Sequence, residues 1–133
     1  MLPNAKFHHV GVATKSIERT SVFFMEAGYE MTQIISDPIQ NVHIAFLQKS
    51  DAPLLELVEP VDDKSPVRNI LNKSGVSAYH FCYEVDNLED CITQLRQKKF
   101  TLLLKPVEAI AFGGRKVCFL YHKDTGLIEL LEK

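Results

Sequence analysis

What this chain most clearly lacks is an excess of charge of either sign. Its 133 residues carry 15 Lys and Arg against 17 Asp and Glu, a formal net charge of −2, which leaves no basic footprint for nucleic acid or an anionic membrane. The expected partner is a small molecule, with neither nucleic acid nor membrane involved. Cysteine is scarce as well: Cys82, Cys91 and Cys118 are odd in number and irregular in spacing. That excludes a disulfide framework and reads as reduced core residues of a cytoplasmic protein. No apolar run approaches the ~20 residues that span a bilayer, and Met1-Leu2-Pro3-Asn4-Ala5-Lys6 has no apolar signal core, so a soluble, unexported protein is expected. The length suits one domain with a core that needs no staples.

What is present is a duplication. Leu54-Leu55-Glu56-Leu57-Val58-Glu59 returns near the end as Leu127-Ile128-Glu129-Leu130-Leu131-Glu132, an offset of 73 residues from Glu56 to Glu129. The same offset lays His43-Ile44-Ala45-Phe46-Leu47 on Lys116-Val117-Cys118-Phe119-Leu120. Earlier in each half, Phe7-His8-His9-Val10-Gly11 lies on Ala78-Tyr79-His80-Phe81-Cys82, an offset of 71 from His9 to His80. A period of this size is too long for a solenoid and too short for two independent domains, so two fused half-domains are expected. They are half-modules 7–60 and 78–133 of one domain spanning 1–133, joined by a connector 61–77.

Periodicity places the elements. Residues 7–13 read as a strand, then Ser16 caps an amphipathic helix with Ile17, Ser21 and Phe24 on one side, stopped by Gly28. Residues 29–35, 41–48 and 54–58 read as three further strands, with Ser36-Asp37-Pro38 as turn punctuation. The second half repeats the order: strand 79–85, a helix from Asn87 with Leu88, Cys91, Ile92 and Leu95 at helical spacing, then strands 101–104, 116–121 and 127–131. The unit is βαβββ, used twice, which makes the fold class α+β. In the connector only a helical turn or two is expected, over residues 67–71.

Alternation along a strand puts His9 and Gly11 on one face, and Glu56 on the face opposite Leu55 and Leu57. His80 and Glu129 repeat this. A carboxylate at the centre of an apolar strand is costly unless it is paired or bound to a metal. Two imidazoles and two carboxylates form a nitrogen and oxygen ligand set suited to one divalent transition ion per site, Ni²⁺, Co²⁺, Mn²⁺, Fe²⁺ or Zn²⁺. Four ligands of an octahedron leave two positions for substrate oxygens, and a polarised carbonyl stabilises an enolate, so the chemistry is proton abstraction beside a carbonyl. One of the glutamates is a candidate base.

These residues resemble the vicinal oxygen chelate superfamily, which includes glyoxalase I, methylmalonyl-CoA epimerase and bleomycin resistance proteins. The resemblance covers nearly the whole chain. It is nearest to the epimerase branch in Leu55-Glu56-Leu57-Val58-Glu59-Pro60 through Ser65-Pro66, Leu71, Lys73 and Tyr79-His80-Phe81 to Glu84-Val85-Asp86-Asn87. The tail Phe119-Leu120-Tyr121-His122-Lys123-Asp124 through Leu127-Ile128-Glu129-Leu130 is similar too. The resemblance implies a glyoxalase-like fold, two βαβββ modules forming a curved mixed sheet cup. It implies His9, Glu56, His80 and Glu129 as metal ligands, with Glu129 also as catalytic base. Where some epimerases carry a second acid/base carboxylate this chain has His43, expected to substitute for it. Thr125-Gly126-Leu127 is tighter than the epimerases' closing turn.

The function implied is a metal-dependent isomerase acting beside a thioester carbonyl, on methylmalonyl-CoA or a related acyl-CoA. The same ligands serve a lactoylglutathione lyase of the glyoxalase I kind, whose substrate is a glutathione hemithioacetal, and a drug-sequestering protein can share the cup without catalysis. An extradiol dioxygenase needs only two histidines and one carboxylate. A homodimer is expected because the modules leave sheet edges to cover. His8, His122 and Glu59 read as rim residues, and Gly113-Gly114-Arg115-Lys116 as either a turn or an anion-meeting loop.

Overall fold

The computed structural model describes residues 2–133, and its fold is mixed α+β. The chain forms two compact units: residues 9–79 make one, and the segment up to residue 8 together with 80–133 makes the other. In the first, strands β1 (Lys6–Ala13), β4 (Val42–Gln48) and β5 (Leu55–Pro60) carry the sheet, with helix α1 (Ile17–Glu26) on one face. β1 runs parallel to β5, β5 is antiparallel to β4, and β4 pairs with two short strands, β2 (Glu30–Met31) and β3 (Ile35–Asp37). The predicted strand 29–35 is therefore broken. Thr32 breaks it, because its Oγ1 accepts the Phe46 amide at 2.8 Å in place of a backbone carbonyl.

The second unit repeats the plan. β6 (Ser77–Val85) runs parallel to β9 (Gly126–Glu132), β9 is antiparallel to β8 (Lys116–His122), and β8 to β7 (Thr101–Glu108), with helix α3 (Leu88–Gln97) packed on this unit. β7 runs four residues past the predicted strand 101–104, through Pro106. Among the described residues it pairs with β8 alone, and it shifts register between Leu102 and Leu104 and between Leu104 and Val107. A proline is tolerated on such an edge strand because no ladder bond is asked of it.

Each unit has its own core between helix and sheet. Ile17, Ala45, Leu47 and Leu57 pack together in the first; Val85, Leu88, Cys91, Ile92, Leu95, Cys118, Leu120 and Leu130 do so in the second. A fully buried aliphatic side chain of this kind is worth about 1.5–3 kcal/mol. The three cysteines are buried and free, and burial pushes the Cys118 thiol up to about 12, with the Glu129 carboxylate adding to the effect.

The connector is more ordered than expected. Helix α2 (Pro66–Ser74) runs nine residues, with Ser65 accepting from the Val67 amide, Pro66 in the first turn and Gly75 stopping it at φ 68°. Val67 and Leu71 are its buried residues. No helix among the described residues is long and apolar enough to cross a membrane.

Candidate metal centre

The repeated Leu-Glu-Leu-Val-Glu and Ile-Glu-Leu-Leu-Glu segments each place two glutamates three residues apart, hence on opposite faces of one strand. The second of each pair faces a helix. Glu59 Oε1 accepts the Ile17 amide at 2.8 Å, and Glu132 Oε2 accepts the Leu88 amide at 2.9 Å. Each thus satisfies a first-turn donor and sets a negative charge at the positive end of the helix dipole. Ser16 and Asn87 complete the caps by accepting from the Arg19 and Asp90 amides. Glu59 is therefore a helix-anchoring residue rather than a rim residue.

The first glutamate of each pair turns the other way. Glu56 lies opposite Gly11 of β1 and Phe46 of β4, and its Oε1 is 3.4 Å from His9 Nε2. Glu129 lies opposite Cys82 of β6 and Phe119 of β8, and its Oε1 is 3.1 Å from His80 Nε2. All four side chains are buried, His9 at 0%, Glu56 at 3%, His80 at 3% and Glu129 at 2% exposure. Each imidazole stands edge-on to a phenylalanine, His9 to Phe46 with ring centres 6.1 Å apart and His80 to Phe119 at 5.2 Å. Phe46 and Phe119 had no functional reading in the sequence. The signal was there, since the 73-residue offset superposes them as it superposes the glutamates.

One ligand atom from each of His9, Glu56, His80 and Glu129 lies within 4.8 Å of the others. Bonds of about 2.1 Å to a shared ion put opposing ligands about 4.2 Å apart, so this donor set fits a single divalent ion. All four residues belong to one chain. Two carboxylates buried together repel each other and lose their hydration. A divalent cation neutralises both, and the imidazole and carboxylate donors suit a borderline transition ion.

His43 is not with them. The register sets it opposite Glu59, on the face shared by Ala45, Leu47, Leu55 and Leu57, while Ile44 and Phe46 lie on the Glu56 face. Its Nδ1 is 2.8 Å from Ser36 Oγ. The alternation thus turns His43, expected as a second acid/base, to the other side of the sheet from Glu56. The Gly113-Gly114-Arg115 segment is a turn: Gly113 and Gly114 take φ 66° and 88°, and Arg115 is engaged by protein groups, its Nη2 pairing with Glu84 and its Nε donating to the Glu132 carbonyl. The Arg115 guanidinium holds the Glu84 carboxyl below its ordinary value. His8 packs edge-on to Phe112, and His122 accepts the Asp124 amide beside Phe100.

Comparison with known proteins agrees with this geometry. The family model described as the glyoxalase/bleomycin resistance protein/dioxygenase superfamily matches residues 8–119. The mitochondrial methylmalonyl-CoA epimerase of Mus musculus is 30% identical over 129 residues, covering 94% of this chain and 71% of the relative. Among solved structures, a hypothetical protein of Bacillus halodurans superposes with a TM-score of 0.83 at 28% identity, over 97% of this chain and 94% of that one. A substituted methylmalonyl-CoA epimerase of Streptomyces coelicolor in complex with 2-nitronate-propionyl-CoA superposes at 0.81 with 25% identity, over 96% of each.

Proposed function

Because this chain belongs to the glyoxalase/bleomycin resistance protein/dioxygenase superfamily, in its methylmalonyl-CoA epimerase-like branch, we propose that it is a divalent-metal-dependent isomerase abstracting the proton beside the thioester carbonyl of an acyl-CoA such as methylmalonyl-CoA. The buried cluster of His9, Glu56, His80 and Glu129 is the observation that carries this reading. These four residues would hold the ion, which when bound supplies electrostatic stabilisation of the negative charge developing on the substrate carbonyl oxygen.

The rest is work for the chain's own residues. Glu129 is the base in this reading. Buried at 2% exposure and opposite Phe119 on β8, its carboxylate lies beside any substrate held at the ion, within reach of the proton to be moved. Phe46 and Phe119 fix the two imidazoles edge-on and keep water from the carboxylates. The reading includes a homodimer and a cytoplasmic location, the latter supported by three buried free thiols.

The position of His43 gives weight to a second reading. Inversion at carbon needs a proton returned to the face opposite the one it left, and the β4 residues beside Glu56 are Ile44 and Phe46. A lactoylglutathione lyase moves a proton between neighbouring carbons of a hemithioacetal, a task one carboxylate can perform on one face. The deciding experiment incubates the metal-loaded protein in deuterated water with methylmalonyl-CoA and, separately, with the glutathione hemithioacetal of methylglyoxal. Deuterium beside the thioester carbonyl supports the acyl-CoA isomerase. Turnover of the hemithioacetal alone replaces it with the lyase, and turnover of neither contradicts both.

A further inference from the structure

A duplicated chain contains its own control: where one module departs from its copy, the shared fold is not the cause. Helices α1 and α3 occupy equivalent places, and their inward residues correspond, Ile17, Ser21 and Phe24 against Leu88, Ile92 and Leu95. Their outward stripes do not. At the 71-residue offset Arg19, Val22, Phe23 and Glu26 of α1 meet Asp90, Thr93, Gln94 and Gln97 of α3, which are polar throughout. On α1, Val22 is 55% exposed and Phe23 68%, with Met25 beside them at 49%, and Arg19 and Glu26 are exposed at the two ends. Three large apolar side chains at the surface of one helix form a patch, not the scattered exposure that is normal.

Residues 19, 22, 23 and 26 are spaced i, i+3, i+4, i+7 and form a single stripe. Its order is basic, apolar, apolar, acidic. From this we infer that the outer face of α1 is the surface on which a second copy of this chain docks, the two α1 helices running antiparallel about a two-fold axis between Val22 and Phe23. The inference rests on the homodimer proposed above and places its surface on a helix face instead of on the sheet edges. A two-fold interface must be complementary to itself, and this stripe is: Arg19 and Glu26 lie at equal distances from its centre, so each Arg19 meets Glu26 of the partner subunit. A parallel pairing would set Arg19 against Arg19 and Glu26 against Glu26. The charges fix direction and register, since exposed pairs are each worth only about 0.2–1 kcal/mol. Burial of Phe23, Val22 and Met25 supplies the association. One helix stripe falls short of the roughly 800 Å² per partner that stable complexes bury, so the dimer dissociates on dilution.

The experiment is sedimentation velocity on the full chain, from low micromolar to submillimolar concentration. Wild-type protein shows a monomer–dimer equilibrium. Phe23→Lys weakens it by about tenfold or more, in line with loss of a central aromatic anchor, whereas Gln94→Lys, at the same place on α3, leaves it unchanged. Arg19→Glu weakens dimerisation, and Arg19→Glu combined with Glu26→Arg restores it. Circular dichroism checks that each variant is folded, and the charge-exchange pair carries the test should Phe23→Lys fail to fold. A wild-type protein that stays monomeric throughout overturns the homodimer and this surface together. A dimer indifferent to Phe23→Lys overturns this surface and leaves the homodimer standing. Charge exchange without restoration overturns the antiparallel arrangement.

Discussion

The two modules differ most where they face outward and least where they face the metal cluster. Each supplies one histidine, one glutamate and one phenylalanine in the same relation, His9, Glu56 and Phe46 against His80, Glu129 and Phe119. Each also ties the same strand to its own helix, through Glu59 and Glu132. The helix exteriors match only at one first-turn acid, Glu18 against Glu89. A site that needs two matched halves constrains both copies alike, whereas an outer face answers only to what covers it. The residues paired across the repeat are thus the ones whose loss should have the same consequence in either half.

The largest effects test that equivalence. His9→Ala and His80→Ala should each lower metal affinity by more than the roughly 10 to 100-fold typical of residues that only support a ligand, and turnover should fall with it. Titration calorimetry with Ni²⁺ or Co²⁺ reads this directly; a loss confined to one half would break the comparison. Since the four clustered residues belong to one chain, a site complete within each copy predicts that mixing His9→Ala with Glu129→Ala protein restores no activity.

Next come the differences that chemistry imposes on the matched pair. Glu129→Gln should slow deuterium exchange by about 10² to 10⁴-fold, the range for losing a general base, beyond what its metal occupancy explains. His43→Ala should leave exchange and metal content at wild-type levels, because His43 lies on the opposite face from Glu56. A hundredfold loss at His43 would show that β4 is misplaced in this account.

Smaller effects test the scaffolding. Leu57→Ala and Leu130→Ala remove fully buried leucines from the two cores and should each cost about 2–5 kcal/mol in denaturant unfolding. Glu59→Ala and Glu132→Ala remove the helix anchors and should each cost about 0.5–2 kcal/mol, as helix-cap losses do. Smallest is Arg115→Gln. Glu84 is held below its ordinary value of 4.5 by Arg115, so their pairing stabilises the fold above that value and is lost as pH falls through the depressed one. Wild type and variant should differ by under about 1 kcal/mol at neutral pH, given the partial exposure of the pair, and converge in acid.

Much of this was legible in the sequence. The duplicated strands, both long helices and the four clustered residues follow from period and alternation, because a repeated histidine and glutamate in apolar strands leaves few cheaper explanations than a cation. What escaped depends on how strands register against one another. Whether His43 or Ile44 faces the cluster is a matter of one residue, set by the turn between β4 and β5, and composition does not count that turn. Thr32 interrupts a strand through a hydroxyl that no propensity marks, and β7 continues through Pro106 because only an edge strand tolerates it. Glu59 and Glu132 were visible as part of the repeat, but their role appears only once each is seen beside the first amide of a helix.

In the proposed site, His9, Glu56, His80 and Glu129 would hold one divalent ion in common. Elemental analysis of purified protein, repeated after removing the metal and reloading it, tests this most directly. About one transition ion per chain is expected, and Glu56→Ala and Glu129→Ala should each abolish retention of that same ion. Two ions per chain, or full retention in either variant, would contradict it.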